Sequence, residues 1–419
     1  MSQWSNWSGS VAARPREIAR PKTEAELARL VASANKGRVA GAGHSFMPLC
    51  ETNGLLLSLD QFEGDIEVSA DGARVWAPAG WSLAKLTAAL WARGLSLINQ
   101  GDVNPQALAG AIGTGTHGTG EKLGSLSTTA RAFRLARADG AIITCSADEN
   151  PDLFQAQRVG LGMLGVVTRI EIDVTPAYHL EETLTAMPLA EIEAQWDELA
   201  ANNRHVEFWV FPHGGQALLK RLNPAPPEGE MTQTTDVDES DFRLFCNISA
   251  AAPWLTRHIQ PHLVSKRLNA RRVGPAYKVF PSDRTVRFEE MEYEVPRAAG
   301  FAALKEAMAH IQKKRLPVVF PFEFRVVAGD DIWLSPMHAG ACSSISMHQY
   351  AKMPYAEVFA AIEPIFRAHG GRPHWAKRHT LTRADVDVLY PNAERFRAVR
   401  AAHDPHGKFL NAHLASLFG

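Results

Sequence analysis

The chain has 419 residues, enough for two or three domains with cores of their own, and its 46% hydrophobic and 21% charged residues are those of an ordinary soluble globular protein. A formal net charge of −1 gives no reason to expect a nucleic-acid or membrane-surface partner. Cys50, Cys145, Cys246 and Cys342 form no Cys-x-x-Cys pair, which argues against a zinc ribbon or a disulfide framework and fits a reducing compartment.

At the N-terminus, MSQWSNWSGS has neither the basic nor the apolar region of a leader, and no run of 18 apolar residues occurs anywhere; a cytoplasmic protein without membrane insertion is expected. Apolar residues at helical spacing predict a helix over TEAELARLVASANKG, with Thr23 as N-cap and Gly37 beyond its end. The short strand RVA runs straight into GAGHSF, residues 41–46. GLLLSL and ARVWAPA read as strands, SLAKLTAALWARG as a helix, and LSLIN as a strand entering a glycine-rich loop. AFRLARADGAIITC reads as a hairpin turning at Asp139-Gly140. A short helix in PDLFQAQ, the glycine cluster GLGMLG and a strand ending near Pro176 complete an α+β unit. From Tyr178 to Leu316 the chain reads as helical stretches joined by polar, Pro-containing connections, with NPAPPEGEMTQTTDVDES (223–240) a surface loop. Strands resume at PVVFPFEFRVVA and CSSISMHQYA, followed by helices at EVFAAIEPIFRAHG and AERFRAVRAAH. The layout suggests a cofactor unit (1–175), a substrate unit (176–375) and a C-terminal segment (376–419) that returns to the first.

GTGTHGTG (113–120) contains a GxGxxG, but NPQALAGAI before it and EKLGSLSTTA after it supply neither the strand nor the apolar helix of a Rossmann site. Glycine and threonine still offer N–H and hydroxyl donors to an anion. Three glycine clusters in one unit, at 41–46, 113–120 and 160–165, favour a cradle for a long phosphate-bearing cofactor. A lone histidine such as His44 is more often a satisfied surface or core side chain, yet its glycine neighbours allow another molecule to approach the backbone closely. Glu323 and Arg325 project from one face of a strand-like run while Phe322, Phe324 and Val326 take the other; the ordinary reading is a surface ion pair, and the alternative is a site. Ser344, Ser346, His348 and Tyr350 share a face in the same way, so two strands would line a cavity for a hydroxyl-rich ligand. His374, His379, His403 and His406 have no recognised metal-ligand spacing, so no metal is expected. No GxSxG anchors a hydrolase, and SKRLNARR and KKR read as solvated faces.

Taken together, GAGHSF, GTGTHGTG, GMLGVVTRI, EFR, HWAK and DPHGKFLN are similar to the motifs of vanillyl-alcohol-oxidase-type FAD flavoproteins, and more closely to their aldonolactone oxidase (L-gulono-/D-arabinono-1,4-lactone oxidase) and alditol oxidase branch. The match spans both ends of the chain and covers 178–316 only in outline. It implies a two-domain α+β FAD-binding (PCMH-type) fold with a cap substrate domain. It also implies that His44 is bonded to the flavin 8α-methyl carbon. Gly41, Ala42, Gly43, Ser45, Phe46, Ala107, Gly110, Thr114, Gly115, Thr116, His117, Gly118, Gly165, Val166, His374 and Lys377 would surround the cofactor.

Catalysis in such proteins is hydride transfer from a carbinol C–H to flavin N5. The resemblance assigns catalytic roles to Glu323 and Arg325 as a clamp on the substrate hydroxyl, to His348 on the adjoining strand, and to Lys377 near the flavin N1/C2 carbonyl. Ala107 stands where alditol oxidases place a serine that touches substrate and flavin, and its surroundings read more like lactone oxidases. The expectation is therefore a monomer that oxidises a small polyhydroxylated substrate, an aldono-1,4-lactone before an alditol and other sugars last, with O2 as acceptor giving H2O2. A reductive relative, the enolpyruvyl-UDP-aminosugar reductase, is disfavoured by His44 and HWAK. A bicovalent berberine-bridge type is disfavoured because Gly110–Gly120 holds no cysteine. A noncatalytic flavin-binding protein would not need Glu323, Arg325 and Lys377 together.

Overall fold

The Thr23 hydroxyl accepts from the Glu26 N–H, and from this cap α1 (Glu24–Ser33) runs with Leu27 and Val31 buried one turn apart. The computed structural model describes residues 3–227, 232–233, 239–264, 268–282 and 284–419. Beside α1 lie three parallel strands, β1 (Glu17–Ala19), β2 (Gly37–Val39) and β3 (Leu55–Leu57), in the order β1-β3-β2. A second, antiparallel sheet is built from β4 (Glu67–Val68), β5 (Arg74–Pro78), β6 (Ala130–Ala136), β7 (Ile142–Ser146) and β8 (Val166–Asp173), ordered β7-β6-β8-β5-β4. The helices α2 (Leu83–Trp91), α3 (Leu108–Thr114) and α4 (Pro151–Gln157) share one apolar core with it. GTGTHGTG is thus a helix end rather than a strand-to-helix turn: α3 stops at Gly115, whose φ of 79° favours glycine.

Residues 178–316, expected to be helical stretches with polar connections, instead supply most of a nine-stranded antiparallel sheet. Its long strands are β9 (His179–Pro188), β10 (His205–Val210), β11 (Gln216–Ala225), β12 (Asn269–Pro275), β13 (Phe288–Pro296), β14 (Phe322–Val327) and β15 (Cys342–Tyr350). They are ordered β12-β9-β11-β10-β14-β15-β13, with two-residue strands at Thr232–Gln233 and Arg372–Pro373 on the edges. The reason for the difference is visible in EEMEYEV, where period-two alternation puts Glu290, Glu292 and Glu294 on one face and Met291, Tyr293 and Val295 on the other. A run of glutamates reads as a solvated segment unless its polar face has a partner, and here it has one.

The sheet's apolar face, including Phe208, Phe322, Phe324, Ile345 and Met291, forms a second core with α5 (Leu189–Asn202), α7 (Gly300–Lys314) and α8 (Ala356–Ala368); α6 (Glu239–Ala251) lies elsewhere on the same unit. The polar face turns toward the N-terminal unit. Three C-terminal helices, α9 (Arg383–Leu389), α10 (Ala393–His403) and α11 (Ala412–Phe418), return to the first core, and Ile332, Trp333, Leu334 and Trp375 join it there. Arg38 locks this return, donating to the carbonyls of Leu49, Leu161, Gly162 and Phe409 at 2.5–2.8 Å.

Of the loop expected at 223–240, residues 223–225 belong to β11 and 239–240 to α6, while 228–231 and 234–238 lie outside the described residues. In SKRLNARR, residues 265–267 lie outside them too, and Arg271 and Arg272 are paired with Glu181 and Glu182 at 2.9 Å rather than simply solvated. All four cysteines are free, and no helix among the described residues is long and apolar enough to cross a membrane.

Candidate active site

Strand register sorts the polar side chains of the large sheet into rows. Lys220, Glu207, Arg325, Ser344 and Glu294 stand opposite one another in succession across β11, β10, β14, β15 and β13. The next row is Trp209, Glu323, Ser346 and Glu292, and beyond it His348 faces Glu290. Arg325 sits at the centre. Its Nε donates to Glu323 Oε1 at 3.0 Å while Nη2 lies 2.6 Å from the same oxygen, its Nε lies 3.4 Å from Glu207 Oε2, and Nη1 lies 3.8 Å from Glu292 Oε2 without a hydrogen bond. Burial alone would lower the Arg325 pKa, but Glu323, Glu292 and Glu207 raise it well above the ordinary arginine value.

Glu290 bridges two side chains: His348 Nε2 lies 3.3 Å from Oε1, and the Lys377 ammonium donates to Oε2. Burial would raise the Glu290 pKa, yet Lys377 and His348 hold it at about 2. His117 is caught between acceptors, with Nδ1 2.8 Å from the Gly118 carbonyl and Nε2 2.9 and 3.3 Å from Glu292 and Glu294 Oε1. Two acceptors require two N–H groups. Burial opposes the charge, but Glu294 and Glu292 push the pKa up to about 10, so an imidazolium sits here. Ser346 and Ser344 donate to the same two glutamates. The ligand atoms of His117, Glu292 and Glu294 lie within 4.8 Å of one another, a set of metal-ligating types that spacing in the sequence does not reveal. His374, 5.9 Å away ring to ring, is neutral: burial, then Lys377 and His117, push its pKa down to about 3, and Nδ1 accepts from the Ala376 N–H at 3.1 Å.

GAGHSF meets HWAK directly, the Phe46 N–H donating to the Ala376 carbonyl at 2.7 Å. The loop is also tied to the N-terminus, where the Trp7 N–H donates to the Gly43 carbonyl at 2.8 Å and Asn6 Nδ2 donates to the Ser45 carbonyl at 3.0 Å. Gly43 has a φ of 72°. A Cβ on Gly41 would stand 2.7 Å from the Ala107 Cβ, so glycine lets this loop press against the start of α3. His44 is half-buried and stacks on Trp7 with ring centres 5.5 Å apart. Neither ring nitrogen has a hydrogen-bond partner among the described residues. Burial, then Lys377, pushes its pKa down to about 4, leaving a neutral imidazole.

A third strip of chain completes the floor. Thr116 Oγ1, Gln100 Nε2 and Gln106 Oε1 are buried without a partner among the described residues. They gather at Gly101, whose added Cβ would lie 3.2 Å from Thr116 Cγ2 and 4.0 Å from Gln106 Oε1. Each unsatisfied group costs about 1–3 kcal/mol, so a polar ligand reaching this strip would gain by supplying the partners. The cradle fits a long polar cofactor, and FAD has the donors and acceptors it lacks.

The expected site residues thus divide. His44, Phe46, His117, Glu323, Arg325, His348, His374 and Lys377 converge between the glycine loops and the polar face. Ala42 and Gly110 are exposed, and Thr114 donates to the Gly110 carbonyl within α3 at 3.0 Å. Gly165 and Val166 lie in the β6–β8 pairing, where a Cβ on Gly165 would meet the Ala136 carbonyl at 2.6 Å. The sequence reading missed Glu207, Glu290, Glu292 and Glu294, whose signal was the period-two alternation of HVEFWV and EEMEYEV, and Lys220 in QALLKRLNPA, which lies in neither segment. It also missed Asp102 and its ion-pair partner Arg284, for which the sequence carries no signal.

The description "FAD binding domain" matches residues 15–146, and "D-arabinono-1,4-lactone oxidase" matches 170–417. An L-gulono-1,4-lactone dehydrogenase of Mycobacterium tuberculosis is 35% identical over 430 residues, 99% of each chain. An L-gulonolactone oxidase of Bos taurus is 31% identical over 431 residues, 99% of this chain and 98% of that one, and an alditol oxidase of a Streptomyces species is 31% identical over 435, 98% of each. A cholesterol oxidase structure from B. sterolicum superposes with a TM-score of 0.83 at 18% identity, covering 100% of this chain and 96% of that one, and shows the fold. Fold and site define an FAD-dependent oxidoreductase with a PCMH-type FAD-binding domain and a cap. The chain belongs to the vanillyl-alcohol-oxidase-type flavoproteins, in the aldonolactone oxidase and alditol oxidase branch.

Proposed function

We propose that the protein oxidises an aldono-1,4-lactone at its C2 hydroxyl, with FAD attached covalently through His44. The observation that carries the catalytic reading is Arg325. It is a buried guanidinium fixed by Glu323 and Glu207, with Nη1 making no hydrogen bond among the described residues, in the same polar region as His348, Lys377 and His44. Bound FAD would take up the hydride at N5. Nη1 would donate to the C2 oxygen and stabilise the charge that develops as its proton leaves, and Glu323, with no bond to Oε2 among the described residues, would accept that proton. His348, oriented by Glu290, would hold a second substrate hydroxyl, and the Lys377 ammonium would place positive charge on the His44 side.

A neutral, half-buried His44 whose ring nitrogens have no hydrogen-bond partner among the described residues supports the covalent link. Ala107, which offers no hydroxyl where it packs on Gly41, supports a lactone over an open-chain polyol, as does the lactone in the name of the 35%-identical relative. Residues 1–175 with 376–419 would form the FAD unit and 176–375 the cap. Four free cysteines fit a cytoplasmic setting, where the protein would act as a monomer that passes its electrons to O2.

The test is anaerobic bleaching of the visible flavin band by gulono-1,4-lactone and xylitol in parallel. Rapid bleaching by the lactone is expected; bleaching by xylitol alone would move the protein to the alditol oxidases, and none by either would remove both substrates. Acid precipitation should leave the yellow colour in the wild-type pellet and release it from His44→Ala; colour retained by the variant would refute the linkage.

A further inference from the structure

We propose that Lys220 is a positioning residue for this oxidation: acting through Glu207, it fixes the orientation of Arg325 with Nη1 turned to the substrate. The inference rests on the reading of Arg325 as the hydroxyl clamp. Lys220 lies two strands from Arg325, its side chain only 6% exposed, with Nζ 3.1 Å from Glu207 Oε1 and 3.5 Å from Glu182 Oε2. Glu207 then reaches Arg325 Nε with its other oxygen, at 3.4 Å. The register puts the three side chains in one row, Lys220, Glu207, Arg325, on adjacent strands. One carboxylate therefore spans two cations.

The surroundings show why the lysine is needed. Glu207 is fully enclosed and faces Glu323 on β14, Asp102 on the loop after Gly101, and Glu182 across Lys220; the cations nearby are Lys220, Arg325 and Arg284, the last paired with Asp102. His205 stands two residues away on the same face and is neutral. Burial, Glu323 and Asp102 raise the Glu207 pKa, while Lys220 and Arg325 oppose them, Lys220 the more strongly. Without the lysine, Glu207 takes up a proton and its hold on Nε weakens. Arg325 is then drawn toward Glu292, whose Oε2 stands 3.8 Å from Nη1, and the free donor is lost.

The experiment is steady-state kinetics of the flavin-loaded enzyme between about pH 6 and 10, with flavin content and circular dichroism recorded. The variants are Lys220→Met, Lys220→Arg, Glu207→Gln and the double variant Lys220→Met/Glu207→Gln. Lys220→Met should lower kcat about 10- to 100-fold near neutral pH, the scale of a displaced catalytic group, with a smaller change in KM. The loss should recover as pH rises and Glu207 ionises, whereas Lys220→Arg should keep most of the rate. In the Glu207→Gln background the lysine substitution should change kcat far less, because the intermediary is already gone. A loss that is independent of pH and equally large in both backgrounds, or no loss at all, overturns the proposal. Should Lys220→Met fail to fold, Lys220→Gln carries the same test. Arg325→Lys measured alongside separates the two readings. If it turns over normally the clamp itself fails, and if it is crippled while every Lys220 variant is normal, only the positioning role fails.

Discussion

The two faces of the nine-stranded sheet are cut from the same strands and obey different rules. On the apolar face, Phe324 stacks on Phe208 at 4.9 Å, tilts against Phe301 at 4.8 Å and meets the edge of Trp196 at 5.2 Å. Contacts of this kind are numerous, weak singly and tolerant of exchange at constant volume. On the other face the charges are tied to specified partners, Arg325 to Glu323 and Glu207, Glu290 to Lys377 and His348, and removing one leaves its neighbours buried and uncompensated. The apolar face keeps the sheet folded, and the polar face uses that rigidity to hold groups within the few tenths of an ångström that catalysis demands.

Damage to the two faces should therefore be separable. The largest effect is expected from Arg325→Lys, which keeps the charge but removes the planar fork that Glu323 and Glu207 hold. Turnover should fall by two to three orders of magnitude, roughly the loss seen when one oriented donor is removed from a transition state, with flavin content and melting temperature nearly unchanged. Phe324→Ala should do the reverse. Emptying a wholly buried ring site costs about 3–5 kcal/mol of stability, readable in denaturant titrations, while the fraction still folded turns over within a few-fold of wild type. If Phe324→Ala lost turnover in step with Arg325→Lys at equal flavin content, the faces would not be independent.

The same division explains what could be read from the chain. Thr23 as a cap, the hairpin at Asp139-Gly140, and the paired faces of FEFRVV and SSISMHQY follow local rules of capping, turn chemistry and alternation, and the structure contains all of them. Strands β9 to β13 did not, because their polar positions are satisfied by partners far away in sequence. Glu292 answers to His117, 175 residues distant, and a window of ten residues holds no trace of that. DPHGKFLN shows a third kind of information. Asp404 accepts from the N–H groups of Lys408 and Phe409 at 2.8 Å, and Lys408 Nζ donates to the Val31 and Ala138 carbonyls at 2.6 Å, so the motif clasps the tail to the first unit. Resemblance pointed to the motif, but only the fold gives it this role. His44 stands between these cases. Its open loop was legible, whereas its stacking on Trp7 and neutrality beside Lys377 required the structure.

The smallest effect tests the faces through pH. His117 titrates near 10 in the folded protein, above the ordinary imidazole value near 6.5, because Glu294 and Glu292 favour its charged form against the cost of burial. Folding therefore binds a proton that the unfolded chain releases above pH 6.5. The associated stability is complete below that value and is lost progressively as pH rises through about 10. Wild-type melting temperature should decline over that interval. His117→Asn, which cannot carry the charge, should start lower at neutral pH and lack this part of the decline, so that the two curves converge in alkali. Phe324→Ala should run below wild type by a constant amount across the range, since no titrating group is altered on the apolar face. Parallel curves for His117→Asn and wild type would mean that the two glutamates do not hold an imidazolium, and the electrostatic distinction between the faces would lose its clearest member.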